Sequence, residues 1–153
     1  TALPDSDHWA GWDDLCSAAV DAAPLWRLGG GELQRAAGRI WWLSGEWLRN
    51  PFAAEAWSDP AQPLQLPGNG LLEWRGEMPG GLLQVRYRQG GERLELPGRG
   101  HRDLKRLLNE IALPAFLRGR LPLLYRDGEL FAVANLPALG PLASPGGELI
   151  WTL

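Results

Sequence analysis

Cysteine, methionine, lysine and histidine are scarce in this chain. Its 153 residues include one Cys, one Met and two His, and Lys105 is the single lysine. The lone Cys16 excludes an intrachain disulfide and any multi-thiolate zinc site, and it suits a reducing cytosol. Set among alanines in a helical pattern, it is expected in the core. His8 and His101 are far apart, and no HExxH, CxxC or clustered-acid pattern accompanies them. The sequence therefore offers no catalytic residue and no metal ligands. Gly29-Gly30-Gly31 has neither the lysine of a Walker loop nor the spacing of a dinucleotide fingerprint, and it reads as a turn. No apolar run nears the roughly 18 residues of a membrane span. The chain opens Thr1-Ala2-Leu3-Pro4-Asp5, with no signal-peptide character and no initiator Met. The expectation is a piece of a longer, cytoplasmic protein, without chemistry of its own.

Glycine, proline, tryptophan and arginine are abundant instead. The hydrophobic fraction of 45% is sufficient for a packed core. The net charge of −3 argues alone against a nucleic-acid partner, but the charge is unevenly spread. Residues 1–79 hold five arginines against eleven acids, a net of −6. Residues 80–153 hold nine arginines and Lys105 against seven acids, a net of +3. A change of sign between halves points to different partners, and arginine engages phosphate bidentately.

Hydrophobic periodicity predicts a helix over residues 8–22, with Asp5-Ser6-Asp7 as caps and Trp12, Leu15, Cys16 and Ala19 on one face. Strands follow at Leu25–Leu28, Glu32–Ala36 and Arg39–Leu43, read as a meander. In Trp41-Trp42 one ring is expected in the core and the other partly exposed, where it has the option of stacking on a base. The proline-rich stretch to Pro79 reads as a connector with strands at Leu64–Leu66 and Leu71–Trp74. Beyond it, Leu83–Arg88 alternates apolar with polar and turns through Gln89-Gly90-Gly91 into a partner strand, Glu92–Leu96. Leu104, Leu107, Leu108 and Ile111 form a helix stripe, with Arg102, Lys105, Arg106 and Asn109 on the opposite face. Pro114 opens a short helical turn carrying Arg118. Asp127-Gly128 marks a hairpin between Leu123–Tyr125 and Leu130–Ala134, and Glu148–Thr152 closes the sheet. The predicted fold is α+β: small, mostly antiparallel sheets with few helices, in two modules. Residues 1–50 form the first module, 51–79 the connector and 80–153 the second module.

The candidate site is a basic surface in that last segment. Arg86 and Arg88 lie on one strand, Arg93 on its partner, Arg102, Lys105 and Arg106 on the helix, and Arg118 and Arg120 on the loop after it. Converging there, they neutralise phosphates. Double-stranded RNA needs no base-reading motif, because it is recognised through shape, phosphates and 2′-hydroxyls. The plainer reading is a solvated face with local ion pairs, such as Asp103 with Arg99 or Arg106. A competing class is a protein-interaction module, with the Trp-rich first half as a homodimer interface and the arginines incidental.

The stretch Gly100 to Leu136 resembles the C-terminal module of bacterial tRNA(Ile)-lysidine synthases. It shows the paired basic residues Lys105-Arg106, a Pro-x-x-Leu-Arg turn from Pro114 to Arg118, Pro122-Leu123-Leu124 and an apolar strand. Val85-Arg86-Tyr87 matches a strand start in that family. Leu25-Trp26-Arg27-Leu28 and Ile40-Trp41-Trp42 resemble the end of its middle, substrate-binding domain. The resemblance implies a parent enzyme that uses ATP and Mg to attach lysine to C34 of an isoleucine tRNA, so that the anticodon reads AUA. It implies a catalytic domain with an SGGxDS loop, a motif missing here, so no ATP or metal site is assigned to these residues. It also implies tRNA(Ile) as partner, held by the last module at the acceptor stem. Arg86, Lys105, Arg106 and Arg118 occupy matching positions. Arg88, Arg93, Arg102 and Arg120 rest on the surface argument alone. The acidic first half and the tail Pro137–Gly147 depart from the family pattern.

Overall fold

The computed structural model describes residues 9–20, 22–50, 53–96, 100–135 and 147–153. The chain divides into two compact units, Thr1–Asn50 and Pro51–Leu153.

In the first unit, helix α1 spans Ala10–Ser17, shorter than the periodicity predicts. The expected caps at Asp5, Ser6 and Asp7 lie outside the described residues, and Trp9 at the N-cap supplies no side-chain bond. The early stop has a local cause. The Arg35 guanidinium donates to the carbonyls of Cys16 at 2.6 Å, Ala19 at 2.8 Å and Ala18. It thus satisfies acceptors at the helix end that have no partner within the helix. Leu15 is the helix's buried residue. Cys16 is exposed, which corrects the core position expected for it: a short helix buries only a narrow stripe. The three strands β1 (Leu25–Leu28), β2 (Gly31–Ala36) and β3 (Arg39–Leu43) pair antiparallel in that order. Ala37 and Gly38 turn β2 into β3 with φ of 51° and 71°, the primed geometry that matches strand twist. Trp41 is half-buried and donates to the Ala36 carbonyl, whereas Trp42 is 49% exposed. A 3-10 turn follows at Gly45–Leu48.

The second unit is built on three small sheets. Strands β4 (Glu55–Ala56), β7 (Leu83–Arg86), β10 (Leu123–Arg126) and β11 (Glu129–Val133) form one, in the order β11-β10-β7-β4. Strands β5 (Leu64–Gln65), β6 (Leu71–Arg75) and β12 (Glu148–Thr152) form the second, in the order β12-β6-β5. The third is the two-stranded pair β8 (Arg93–Leu96) and β9 (Gly100–Asp103). Every pairing is antiparallel. Two short helices, α2 (Leu104–Glu110) and α3 (Ala115–Arg118), follow the third sheet. This is an α+β fold.

Residues 53–79, expected as part of a connector, supply Trp57, Leu66, Leu72 and Trp74 to the core of this unit. Two further differences concern pairing. β8 was expected beside β7, yet it pairs with β9, because the segment after β7 does not close a tight hairpin. Glu92 accepts the backbone N–H groups of Gln89 and Gly90, and this side-chain clasp turns the chain away from the sheet. Arg102 stands on β9, and the helix begins only at Leu104, after the Asp103 cap. Ile111, expected in the apolar stripe, falls beyond the last helical turn and is 45% exposed. The Asp127–Gly128 turn, with φ of 51° and 84°, joins β10 to β11. The core packs Leu104, Leu107 and Leu108 of α2 with Val85, Leu123 and Leu124 of the main sheet. Each such leucine contributes about 1.5–3 kcal/mol through burial.

Gly70 lies tight against the backbone of β12. It has φ +78°, and a Cβ there would lie 2.1 Å from the Thr152 carbonyl oxygen. Gly70→Ala is expected to destabilise the protein by about 2 kcal/mol or more, combining left-handed strain with overlap against β12. Urea denaturation followed by tryptophan fluorescence measures the shift.

Candidate nucleic-acid interface

The basic residues divide into two groups by what holds them. The first group lies along the β8–β9 hairpin and α2. Leu94 and Leu96 point inward from β8 and anchor the hairpin to the core. Arg93 sits across from Asp103 in the register. Asp103 caps α2, its carboxylate accepting the Lys105 backbone N–H at 2.8 Å. The side chains of Arg93, Arg102, Lys105 and Arg106 are exposed. Arg102 donates to the neighbouring His101 carbonyl, at 3.2 Å. Among the described residues none of these four is in an ion pair with a carboxylate. Arg99, offered as a partner for Asp103, lies outside the described residues.

The second group is engaged internally. The half-buried Arg86 guanidinium lies 4.5 Å from the Tyr125 ring centroid, and its Nε donates to Gln84 Oε1 at 2.6 Å. Arg88 Nε is 3.9 Å from Glu92 Oε2. Arg118 donates through Nε to the Leu113 carbonyl at 2.8 Å, and through its other nitrogens to Asn109 and the Leu108 carbonyl. It therefore closes the C-terminal end of α2. Burial, and after it the nearby Arg88 charge, lower the pKa of Arg118. Arg120 is only 2% exposed and donates to the Gly68 carbonyl. The expected surface of eight cations is thus not one surface. Arg118 and Arg120 tie backbone segments together, and a phosphate has no access to the Arg120 guanidinium.

Residues that the sequence analysis did not offer as site residues build the rest of the surroundings. Tyr125, Gln84, Gln89 and Glu92 line a cleft beside Arg86. The alternation along β7 placed Gln84 and Arg86 on a common polar face, but nothing local marked Tyr125 as their neighbour. Asn69 is buried between Tyr87 and Arg120: its amide donates to the Arg120 carbonyl at 2.8 Å and to the Tyr87 hydroxyl at 3.4 Å. Among the described residues no group of His, Cys, Asp and Glu is arranged to hold a metal ion. No described helix is long and apolar enough to cross a membrane.

A small α+β domain with an exposed arginine- and lysine-bearing hairpin–helix edge is the class these observations define. Family comparison assigns it more closely. Residues 83–151 match the TilS substrate C-terminal domain, and residues 1–41 match the TilS substrate binding domain. The chain is 60% identical over 151 residues to the tRNA(Ile)-lysidine synthase of Pseudomonas fluorescens, covering 99% of this chain and 34% of that protein. It is 59% identical over 154 residues to that of Pseudomonas aeruginosa, with the same coverage. The Escherichia coli O157:H7 enzyme is 31% identical over 132 residues, covering 81% of this chain and 30% of that protein. The chain belongs to the tRNA(Ile)-lysidine synthase family, and it spans about a third of the length of the curated relatives it matches.

The chain has two tyrosines, and both titrate late. Burial, then Glu55, raise the pKa of Tyr87 against the lowering effects of Asn69 and Arg120. Burial, then Glu92, raise that of Tyr125 against Arg86. In both, the protonated form is favoured by folding. This stability is fully present below the unfolded value of 10.0 and is lost as pH rises through the folded values. Tyrosinate absorbance is expected to stay below half its final amplitude at pH 10 in the folded protein, and to reach half there in urea.

Proposed function

We propose that the second unit docks the phosphate backbone of tRNA(Ile), at the acceptor stem, as part of a cytoplasmic tRNA(Ile)-lysidine synthase. The complete enzyme in this reading uses ATP and Mg2+ to attach lysine to C34 of the isoleucine tRNA that then reads AUA. The chemistry and both cofactors are assigned to residues outside these 153. The observation that supports docking is the run of exposed cations along the β8–β9 hairpin and the start of α2, Arg93, Arg102, Lys105 and Arg106, with no carboxylate paired to them among the described residues. Cations held by local ion pairs gain little from an incoming phosphate, whereas unpaired ones release condensed counterions from the RNA on contact. Leu94, Leu96, Leu104, Leu107 and Leu108 fix the backbone beneath them, so the charges meet the RNA from a rigid base. A helix recognised by shape asks for such an array and not for base-reading side chains.

In the full-length enzyme, Lys105→Glu with Arg106→Glu is expected to weaken tRNA(Ile) binding at least ten-fold at moderate salt. The slope of log affinity against log salt should fall by about 0.7–0.9 per lost phosphate contact. An unchanged affinity and slope overturns the reading.

One observation favours a second role, for the first unit. Ile40 and Trp42 stand on one face of β3, 41% and 49% exposed. Large apolar side chains exposed together mark protein contacts, and a homodimer through this face is the arrangement they suit. Sedimentation equilibrium of the full-length enzyme is expected to show a salt-resistant dimer that Trp42→Glu dissociates. A monomer at all concentrations removes this role.

A further inference from the structure

The cleft beside Arg86 has a volume of about 540 Å3, within the usual range for small-ligand sites. Phosphate docking on the β8–β9 and α2 edge makes no use of it. Gln84 and Tyr125 are opposite one another in the β7–β10 register, and the segment Gln89–Glu92 forms the far wall. The Arg86 guanidinium lies over the Tyr125 ring at 4.5 Å, held by its bond to Gln84 Oε1.

Three features of the lining restrict the ligand. The stacked guanidinium and phenol make a flat, cationic π-surface, which a planar ring extends. The carboxamides of Gln84 and Gln89 carry both donors and acceptors, the inventory that reads the polar edge of a base. The carboxylate of Glu92, fixed by the N–H groups of Gln89 and Gly90, puts negative charge in the wall and disfavours a phosphate in the same space. An apolar ligand finds few partners among these side chains.

We propose that this cleft takes the base of one unpaired nucleotide, stacked on the Arg86–Tyr125 pair with its polar edge on Gln84 and Gln89. The proposal rests on the reading that the second unit docks RNA, and it adds a site for a single-stranded segment beside the one for a helix backbone.

The test uses full-length enzyme and two RNA hairpins with the same stem, one blunt and one ending in a short single-stranded extension. Anisotropy titrations are expected to show roughly ten-fold tighter binding of the extended hairpin, as one stacked base supplies. Tyr125→Leu should abolish that gain at an unchanged thermal midpoint, and Tyr125→Phe should keep it. If Tyr125→Leu lowers the midpoint, Gln89→Glu replaces it. That side chain is exposed, and a second carboxylate at the wall should abolish the gain without touching the core. Equal binding of both hairpins by the wild type overturns the proposal, as does a gain that survives the substitution. Lys105→Glu with Arg106→Glu separates the two levels. Weakening of both hairpins alongside a gain insensitive to position 125 sinks only the cleft assignment. No weakening of either hairpin sinks the docking reading itself.

Discussion

A buried amide and a buried guanidinium sit where the second unit's segments converge. Asn69 and Arg120 are 1% and 2% exposed. The Asn69 amide donates to the Arg120 carbonyl, Arg120 donates to the Gly68 carbonyl, and the Trp151 indole donates to the Asn69 carbonyl at 2.7 Å. Four distant stretches are joined in this way: the β5–β6 turn, the end of β7 at Tyr87, the passage from α3 to β10, and β12. A guanidinium withdrawn from water is tolerable only when carbonyls replace its hydration. The position of the Gly68 carbonyl is therefore specified closely, and segments of sheets that share no strand are tied together. Asn135 adds a second tie, exchanging two hydrogen bonds with the backbone of Trp151 at 2.8 and 2.9 Å.

This interior use of polar groups explains why the arginines are so unequal. Arg118, at the end of α3, donates to carbonyls that lose their helical partners where α2 stops, whereas Arg120 donates across the unit to the Gly68 carbonyl of the β5–β6 turn. Arg93, Lys105 and Arg106 each adjoin an anchored residue, Leu94, Leu104 or Leu107, and Arg102 pairs across the strands with Leu94. Their backbone is fixed while their side chains remain in water. The solvent-facing cations Arg93, Arg102, Lys105 and Arg106 lie between engaged ones at Arg86, Arg88, Arg118 and Arg120, so a count of positive charge along the chain overstates the accessible surface.

Local patterns carried the element-level reading well. The β1–β3 meander, the Asp127-Gly128 hairpin and the strand at Glu148–Thr152 appear where turn chemistry and alternation put them. Tertiary partnership was less legible. Trp57, Leu66 and Trp74 are buried in a core shared with β11 and β12, which no window around Pro60 or Pro67 contains. Arg120 reads as another loop cation because its acceptor, the Gly68 carbonyl, is far back in the chain. The same limit hid the cleft: Gln84 and Tyr125 meet only through strand register. Family resemblance fared differently, because paired motifs such as Lys105-Arg106 and Pro122-Leu123-Leu124 hold their identity whether or not their contacts are known.

The pairing of β6 with β12 has a kinetic side. Arg75 meets Glu148, and Leu71 meets Thr152, with three strands of the main sheet (β7, β10 and β11), the basic hairpin and both short helices lying between them in the chain. Closing a loop of that length costs entropy before any ladder bond repays it. The β10–β11 hairpin, with its primed turn, has no such delay. The second unit is thus expected to assemble from its middle outward and to admit β12 last. Until that strand arrives, β6 presents an open edge and Trp74 lacks the cover of Leu149, its partner across the strands. The unit's greatest exposure to misassociation lies in this interval of its folding.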